Sequence, residues 1–235
     1  GLHDHVGGGF FRYCVDKKWT IPHFEKMLYD QALNLWNYCT AARRFGRVDY
    51  RRTVTGIIHT LKDSFLEEGL FNAALDADTN HHEGATYLWT PEEIRGALSP
   101  EQAEALMAAF DITEGGNFEG RNHLVRLSHA RLPELEEKLL KARLEREQPE
   151  ADTKKLCGIN ALVVIALFQA GKFLGIQDYI KDAGSLFQTI LETFWDGKRL
   201  AHCLSGGVLQ EQSFLFDAAS LLAAGLATWL AGCTS

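Results

Sequence analysis

Apolar residues recur every three or four positions along much of the 235-residue chain, which is the period of an amphipathic helix. The first apolar stripe follows Pro22, a residue that suits the first turn of a helix, and it continues to Cys39. A second stripe ends before Gly69, a typical helix stop. The period predicts about six long helices, near residues 22–39, 50–66, 134–147, 155–174, 178–195 and 211–230.

The helical period is interrupted between residues 70 and 89, where short alternating runs flank the polar sequence NHHE. Alternation around a polar turn is typical of a β-hairpin. Two short helices follow, because Thr90 and Ser99 each precede a proline and have Glu or Gln three residues later, which is a capping box. The pattern predicts an all-α fold of helical hairpins with a small β-hairpin insertion, in a single domain covering residues 1–235.

Composition and charge narrow the class of protein. The net charge of −7 argues against a general nucleic-acid binder. Five cysteines without a CxxC spacing favour buried free thiols in a reducing, cytoplasmic compartment. The apolar stretch at residues 214–230 contains Asp217 and is short for a membrane span, so it is predicted to be a buried core helix. A basic cluster is interpreted as a solvated helix face, and it comprises Arg43, Arg44, Arg47, Arg51 and Arg52.

Two segments near the N-terminus carry candidate chemistry. His3, Asp4 and His5 have side chains that suit zinc or iron, but a third ligand from elsewhere would be needed, and no metal or other cofactor is assigned. On a helix beginning near Pro22, His23, Lys26 and Asp30 would share one face, with Tyr29 beside them. The alternative is a solvated polar face with Glu25 near the positive end of the helix dipole. A histidine at that end is held neutral and can accept a proton.

A third segment, DADTNHHEGATYLWT, combines acidic and aromatic residues. Asp76, Asp78 and Glu83 lie near Tyr87 and Trp89, and carboxylates beside aromatic rings are what a sugar site requires. The alternative is a polar loop at the tip of a hairpin. Three further polar residues surround the start of an apolar helix, where a helix cap is the simpler interpretation of the first: Asp152, Lys155 and Asn160.

Four blocks of the sequence, taken in order, resemble a known family. They are DHVGGGFFRYCVDKKWTIPHFEKMLYDQA, DADTNHHEGATYLWTPEEI, DTKKLCGINALVVIALFQAG and WDGKRLAHCLSGGVLQEQSFLF. The resemblance is to the YyaL-like, spermatogenesis-associated thioredoxin-domain-containing family; the first block is highly specific and the last is weak. It implies an (α/α) toroid of up to six helical hairpins, similar to six-hairpin glycosidases and N-acylglucosamine 2-epimerases, without the thioredoxin-like domain of the family. Half a ring would leave apolar helix faces uncovered, so we expect either a homo-oligomer or a compact rearranged bundle.

The resemblance suggests two functions. In the first, a sugar is epimerised, isomerised or hydrolysed: His23 is the base, His5 or Asp78 acts opposite it, Arg12 and Lys26 hold oxygen atoms, and Tyr29, Tyr87 and Trp89 stack on the ring. In the second, the domain binds a ligand or protein without catalysis, because blocks three and four lack residues that the family has. The candidates for substrate binding are Asp4, Arg12, Glu25, Lys26, Tyr29, Asp30, Asp76, Glu83, Tyr87, Trp89, Lys155 and Asn160.

Overall fold

The structure, a computed structural model, describes residues 1–127 and 132–232, and these form two compact units. The first unit contains Gly1–Lys26 and Asp76–Glu150, and the second contains residues 27–75 and 151–232. Each unit is built from two separate stretches of chain and is described below by itself. The single domain expected from the sequence stays a prediction.

The described residues are predominantly helical, as the apolar period predicts. Six of the helices have 12 or more residues and two are shorter, which agrees with the number expected. A π-helical turn at Leu61–Phe65 continues the second helix. The eight helices are α1 (Leu28–Phe45), α2 (Val48–Thr60), α3 (Pro91–Ala97), α4 (Pro100–Ala109), α5 (Pro133–Leu144), α6 (Cys157–Leu174), α7 (Gln177–Phe194) and α8 (Leu215–Gly232).

Short strands of two or three residues connect these helices. They are β1 (Tyr13–Cys14), β2 (Pro22–His23), β3 (Lys26–Met27), β4 (Leu66–Glu67), β5 (Leu70–Phe71), β6 (Ala74–Leu75), β7 (Asp78–Thr79), β8 (His82–Glu83), β9 (Ala151–Asp152), β10 (Lys155–Leu156), β11 (Cys203–Ser205) and β12 (Val208–Gln210). The hairpin predicted around NHHE is confirmed at its tip, as the antiparallel pair β7–β8, but the run after NHHE forms turns at residues 84–87 and not a strand. In the second unit, β6 pairs with β9, and β10, β11 and β12 form a small sheet that the sequence did not predict.

The helix predicted to begin at Pro22 is wrong at its N-terminal end. Pro22 and His23 form β2 and pair with β1, and the Arg12 N–H donates to the Glu25 carbonyl at 2.9 Å. Backbone groups engaged in strand pairing cannot also make helical hydrogen bonds. Helix α1 therefore starts only at Leu28, and the predicted helix face shared by His23, Lys26 and Asp30 does not exist.

Helix α6 is the centre of the second unit. It packs against α1, α7 and α8, and it is the one helix among the described residues that is long and apolar enough to cross a membrane, with a mean hydropathy of 1.7. Because 67% of this helix is buried inside the structure, its composition is also that of a core helix. Gly46 and Gly175 adopt the left-handed conformation that ends α1 and α6, so α1–α2 and α6–α7 are helical hairpins with two-residue links.

The first unit has two apolar clusters. The larger one surrounds the side chains of α3, α4 and α5, with Trp89, Ile94 and Phe110 at its centre. The smaller one joins Phe11 and Phe24 to the segment after β8. Both capping boxes predicted from the sequence are present: each N-cap hydroxyl accepts a hydrogen bond from the backbone of the third helical residue, whose side chain accepts one in return.

Helix α8 corrects the prediction of a fully buried core helix. Its inner face carries Asp217, Ser220 and Ala224, which are buried. Its outer face is apolar but open to solvent, with Leu222 75% exposed and Leu226 57% exposed. The large apolar residues of this helix therefore lie mostly on the face that the structure leaves uncovered.

Candidate functional site

A buried ion cluster occupies the first unit at the start of the chain. The Asp4 carboxylate lies 2.7 Å from Lys26 Nζ and 3.0 Å from Arg143 Nη1, and all three side chains are buried. Lys26 and Arg143 both lie over the Tyr87 ring, 5.2 and 5.3 Å from its centroid. Arg143 was not predicted as a member of the site. It lies 139 residues from Asp4 in the sequence, and a local sequence pattern cannot indicate a contact over that separation.

The charge state of this cluster follows from its neighbours. Burial alone would raise the pKa of Asp4, but the positive charges of Arg143 and Lys26 hold that pKa well below its usual value. Burial lowers the pKa of Lys26, and the Asp4 charge opposes this effect. Burial also raises the pKa of the Tyr87 hydroxyl. Asp4 and Lys26, two predicted substrate-binding residues, are therefore engaged with each other.

The triple glycine at residues 7–9 closes around the same ion cluster. The N–H groups of Val6 and Gly7 donate to the Asp4 carboxylate at 3.1 and 3.0 Å, and Lys26 donates to the Gly8 carbonyl at 2.9 Å. A Cβ atom on Gly7 would overlap the Arg143 guanidinium. The absence of a side chain at Gly7 therefore leaves room for the Arg143 guanidinium in this cluster.

The two histidines of the HDH motif bind each other. The Nδ1 atoms of His3 and His5 are 3.0 Å apart, and the His5 ring is packed against Phe110. Burial, together with the charges of His3 and Arg126, lowers the pKa of His5 to about 2. A group with this pKa is a weak proton acceptor at neutral pH. Among the described residues, no group of three or more His, Cys, Asp or Glu side chains is arranged to hold a metal ion.

A second, partly exposed pair joins His23 to the hairpin β7–β8. The His23 Nδ1 atom lies 2.6 Å from Glu83 Oε1. The Tyr13 ring stacks on the His23 ring with centroids 5.0 Å apart and an angle of 22° between the planes. The Arg12 Cζ atom lies 5.9 Å from the Tyr13 ring centroid, and Arg12 Nη1 lies 2.8 Å from Glu25 Oε2. We call these five residues the His23 surface.

The hairpin places another predicted residue beside Glu83. Asp78 and Glu83 are directly opposite each other on β7 and β8. Directly opposed residues share one face of a hairpin, with Cβ atoms about 4.5–5.5 Å apart. Asp78 is therefore a neighbour of the carboxylate that binds His23. Asp76 lies just before this strand, is exposed, and accepts a hydrogen bond from the Asp78 N–H at 3.2 Å.

The structure does not support the stacking roles given to Tyr87 and Trp89. Trp89 is 1% exposed and covered by Arg146, whose Cζ atom lies 3.8 Å from the ring centroid. Two other aromatic side chains are exposed instead, Tyr13 at 48% and Trp19 at 68%. Trp19 has a positive φ of 58°, an uncommon conformation for a large residue. It lies in a loop in which the backbone N–H groups of Lys18, Thr20 and Ile21 donate hydrogen bonds to the Asp16 carboxylate. Both residues belong to the β1–β2 hairpin. This hairpin was not predicted, because the sequence pattern assigned its second strand to the start of a helix.

The remaining four candidates belong to the second unit. Lys155 is buried in β10, where it binds Glu67 at 2.6 Å and also Asn72. Asn160 is buried in α6 and exchanges hydrogen bonds with the Phe71 backbone at 2.8 and 3.1 Å. Both side chains tie strands to helices. Tyr29 and Asp30 lie half-buried in the first turn of α1.

Sequence reasoning missed a histidine–aspartate pair in the second unit. His202 Nδ1 lies 2.9 Å from Asp217 Oδ2, and the buried carboxylate also accepts from the N–H groups of Gly158 and Phe214, each at 3.0 Å. Asp217 therefore supplies the cap at the N-terminus of α6 that the sequence assigned to Asp152, which lies in β9. The last helix, predicted to begin near residue 211, begins at Leu215, because β12 extends to Gln210.

The cysteines are free thiols wherever the structure describes them. Burial raises the pKa of Cys39 and of Cys157 to about 12, which makes both thiols unreactive. Cys14 and Cys203 are also free, and Cys233 lies outside the described residues.

Comparison with known proteins identifies relatives by sequence. No family model matches the chain. Spermatogenesis-associated protein 20 of Rattus norvegicus is 32% identical over 91% of this chain and 33% of its own length. The Homo sapiens protein of the same name is 32% identical over 88% of this chain and 32% of its length. The chain thus spans about a third of the length of these curated relatives, and the family resemblance read from the four sequence blocks is confirmed.

Comparison with solved structures gives weaker likenesses. A D-mannose isomerase shares 16% identity, with 95% of this chain and 76% of that chain covered, at a TM-score of 0.32. A cellobiose 2-epimerase from Bacillus thermoamylovorans B4167 shares 14% identity, with 97% and 81% covered, at a TM-score of 0.29. Scores this low do not establish a shared architecture, and the closed helical ring stays a prediction.

Proposed function

This chain is a homologue of the spermatogenesis-associated protein 20 family, matching about a third of the members' length, and we propose that it binds a carbohydrate on the His23 surface and moves a proton there. The proposal concerns this segment alone. We further propose that its helical hairpins belong to an (α/α) toroid, for which the two-residue links of α1–α2 and α6–α7 are the support.

The hydrogen bond between His23 and Glu83 carries the proposal. An ionised carboxylate can only accept, so the Nδ1 atom of His23 bears the hydrogen of this 2.6 Å bond. The Nε2 atom is then left with a lone pair and can accept a proton, while Glu83 fixes the orientation of the ring. Because His23 is partly exposed, a ligand can reach this nitrogen.

The other members of the surface suit a polyhydroxylated ligand. Tyr13 offers an exposed aromatic ring for the apolar face of a sugar. Arg12 and Glu25 offer a charged donor and acceptor for hydroxyl groups. In the proposed reaction, Nε2 of His23 accepts the proton from the carbon beside a sugar carbonyl. The C–H electron pair becomes a C=C bond as the carbonyl π pair moves to oxygen, which gives an enediolate. A proton delivered to the opposite face of the same carbon gives an epimer, and a proton delivered to the former carbonyl carbon, with transfer of the hydroxyl proton between the two oxygens, gives an isomer.

Inversion at carbon requires a second proton-transfer group, and Asp78 is the better of the two predicted. Asp78 is exposed beside Glu83, whereas His5 is packed among His3, Phe110 and Arg126 with a strongly lowered pKa. Glycoside hydrolysis is disfavoured, because it requires a pair of carboxylates, and Glu83, which lies opposite Asp78 in the hairpin, is already engaged by His23.

Proton exchange tests the proposal directly. The chain is incubated in D₂O with a panel of monosaccharides and disaccharides, with and without EDTA, and deuterium at the carbon beside the carbonyl is followed by NMR. We expect exchange with the wild-type chain and its loss in His23→Ala. Since general base catalysis contributes about 10²–10⁴-fold, Glu83→Gln should slow exchange by at least about tenfold.

A matched variant separates chemistry from folding. His59 is an exposed histidine on α2 of the second unit, and His59→Ala should exchange at the wild-type rate. Exchange that persists in His23→Ala would contradict the proposed base. A sugar-dependent rise in the melting temperature without exchange would support the alternative of a non-catalytic binding domain, which the burial of His5 favours.

A further inference from the structure

The second unit contains an open cleft with cationic walls, separate in sequence from every residue of the His23 surface. Its volume is about 430 Å³, within the range of roughly 300–1,000 Å³ that small-molecule sites occupy. None of the described residues that line it is acidic. The lining residues come from the ends of α1 and α6 and from α2: Ala42, Arg43, Gly46, Arg51, Lys172 and Phe173.

The three cations of the cleft form no ion pair within the described part of the chain. Arg51 lies over the Phe173 ring at 4.9 Å from its centroid, and Lys172 lies over the Phe168 ring at 5.0 Å. Neighbouring Arg47 differs, because its guanidinium is bound by Asp49 at 2.5–3.0 Å. Arg43, Arg51 and Lys172 are all exposed, so their charges face solvent without a counter-ion among the described residues of their unit.

Helix dipoles offset only part of this charge. Arg43 and Lys172 lie in the last turns of α1 and α6, where a helix end carries roughly −0.5 of a unit charge. Two such ends leave a surplus of about +2 from three cations. The partial charges of the two helix ends therefore do not neutralise the three cations. The chain as a whole carries a net charge of −7, so this positive cluster is opposite in sign to the rest of the chain.

We propose that this cleft binds a small ligand that carries a phosphate or polyphosphate group. Two guanidinium groups can each donate paired hydrogen bonds to phosphate oxygens, and the lysine adds a point charge. Phe173 and Ala42 give the organic part of the ligand an apolar contact. This inference is independent of the proposed sugar chemistry, because all of its residues belong to the second unit.

Isothermal titration of the whole chain with pyrophosphate, at constant ionic strength, tests the inference. We expect saturable binding that weakens as NaCl is raised, since salt screens charges at an exposed site. Arg51→Ala and Lys172→Ala should each weaken binding by about tenfold or more. Arg44→Ala on α1 and Arg52→Ala on α2 are the controls, because both arginines lie on helices that line the cleft but are not among its lining residues. They should change affinity less than about twofold.

The outcomes separate a site from a generally basic surface. Equal weakening in all four variants would overturn the inference, as would a dissociation constant above about 1 mM for the wild-type chain. Sedimentation with vesicles containing phosphatidic acid tests a lipid headgroup as the source of the phosphate. Binding to vesicles without binding to pyrophosphate would also overturn the proposal of a small soluble ligand. Arg51→Lys retains the charge and should recover part of the affinity, which rules out loss through misfolding.

Discussion

The Asp217 carboxylate accepts a hydrogen bond from the backbone N–H of Gly158 at 3.0 Å, and it therefore joins the first turns of α8 and α6. A negative charge at a helix N-terminus is stabilising. The approach is possible only because residue 158 has no side chain. A Cβ atom there would lie 2.9 Å from Asp217 Oδ1 and 2.7 Å from the Phe216 ring.

Replacement of Gly158 by alanine should destabilise the chain. Helix propensity alone would favour alanine by roughly 0.5–1 kcal/mol. Overpacking against Asp217 and Phe216 costs about 1–3 kcal/mol, so the unfavourable contact should exceed the gain. Urea denaturation of Gly158→Ala, followed by circular dichroism, should show a lower midpoint than the wild-type chain.

Gly184 is the matched control for this prediction. It lies inside α7, and a Cβ atom at its position would meet nothing within 4 Å. Gly184→Ala should therefore raise the free energy of unfolding by roughly 0.5–1 kcal/mol. If both alanine variants were stabilised alike, the close approach of Asp217 to Gly158 would not exist in solution.

Local signals in the sequence were sufficient where the determining contacts are local. The capping boxes at Thr90 and Ser99 formed as predicted, because each hydrogen bond joins residues only three positions apart. The β7–β8 hairpin was also predictable from its polar turn. The number of long helices followed from the apolar period, which burial along α6 and α7 confirms.

Non-local contacts explain what the sequence could not predict. The helix expected at Pro22 is replaced by strand pairing with Tyr13 and Cys14. The residue propensities of the segment do not indicate which other segment it will pair with. Asp4 finds Arg143 far along the chain, and Asp217 finds Gly158 and His202 in the same way. The pair of His23 with Glu83 was not predicted, although both residues were candidates.

Loss of the Asp4 charge should be severe. Asp4→Asn would leave Lys26 and Arg143 buried without their carboxylate, and removal of one partner from a buried ion pair typically costs about 3–5 kcal/mol. Because its pKa is lowered in the folded chain, the stability contributed by Asp4 is present above about pH 4 and falls as acid protonates it. Chemical denaturation at neutral pH measures the loss.

The surface pair of Glu137 and Lys141 provides the comparison. Both side chains are well exposed and lie 2.8 Å apart on α5, so Glu137→Gln makes the same chemical change without burial. We expect no measurable change in unfolding, because exposed ion pairs contribute little. An Asp4→Asn variant as stable as Glu137→Gln would show that the cluster is hydrated in solution.

Mild acid should weaken the fold through His5. Its usual pKa of 6.5 is lowered to about 2 by burial, so below pH 6.5 the unfolded chain binds a proton that the folded chain does not. The free energy of unfolding should then fall with decreasing pH by up to about 1.4 kcal/mol per unit. Denaturation at pH 7 and pH 5 should show this slope, and His5→Asn should reduce it.

Two other histidines serve as comparisons for the pH dependence of the free energy of unfolding. His123 is buried and its pKa is lowered to about 4, so part of the slope should remain in His5→Asn and decrease further in the double variant with His123→Asn. His59 is exposed on α2, and His59→Asn provides the control for a histidine substitution outside the buried core. Equal stability at pH 7 and pH 5 in the wild-type chain would contradict burial of both imidazoles.

The outer face of α8 should mediate association of two copies of this chain. Its exposed apolar side chains lie at helical spacing and form one stripe, and contiguous apolar patches of this kind mark interaction sites. Sedimentation velocity should show a species larger than the monomer as concentration rises. The stripe consists of Leu215, Leu222, Leu226 and Trp229.

Acidic substitution on this face should prevent association without unfolding the chain. Leu222 and Leu226 are mostly exposed, so a glutamate at either position stays in water in the monomer but would be buried in a dimer, where an unpaired charge is costly. Leu222→Glu and Leu226→Glu should sediment as monomers with wild-type melting temperatures. Leu144→Glu, an equally exposed leucine at the end of α5, should associate as the wild type does, and a wild-type chain that stays monomeric at every concentration would contradict the prediction.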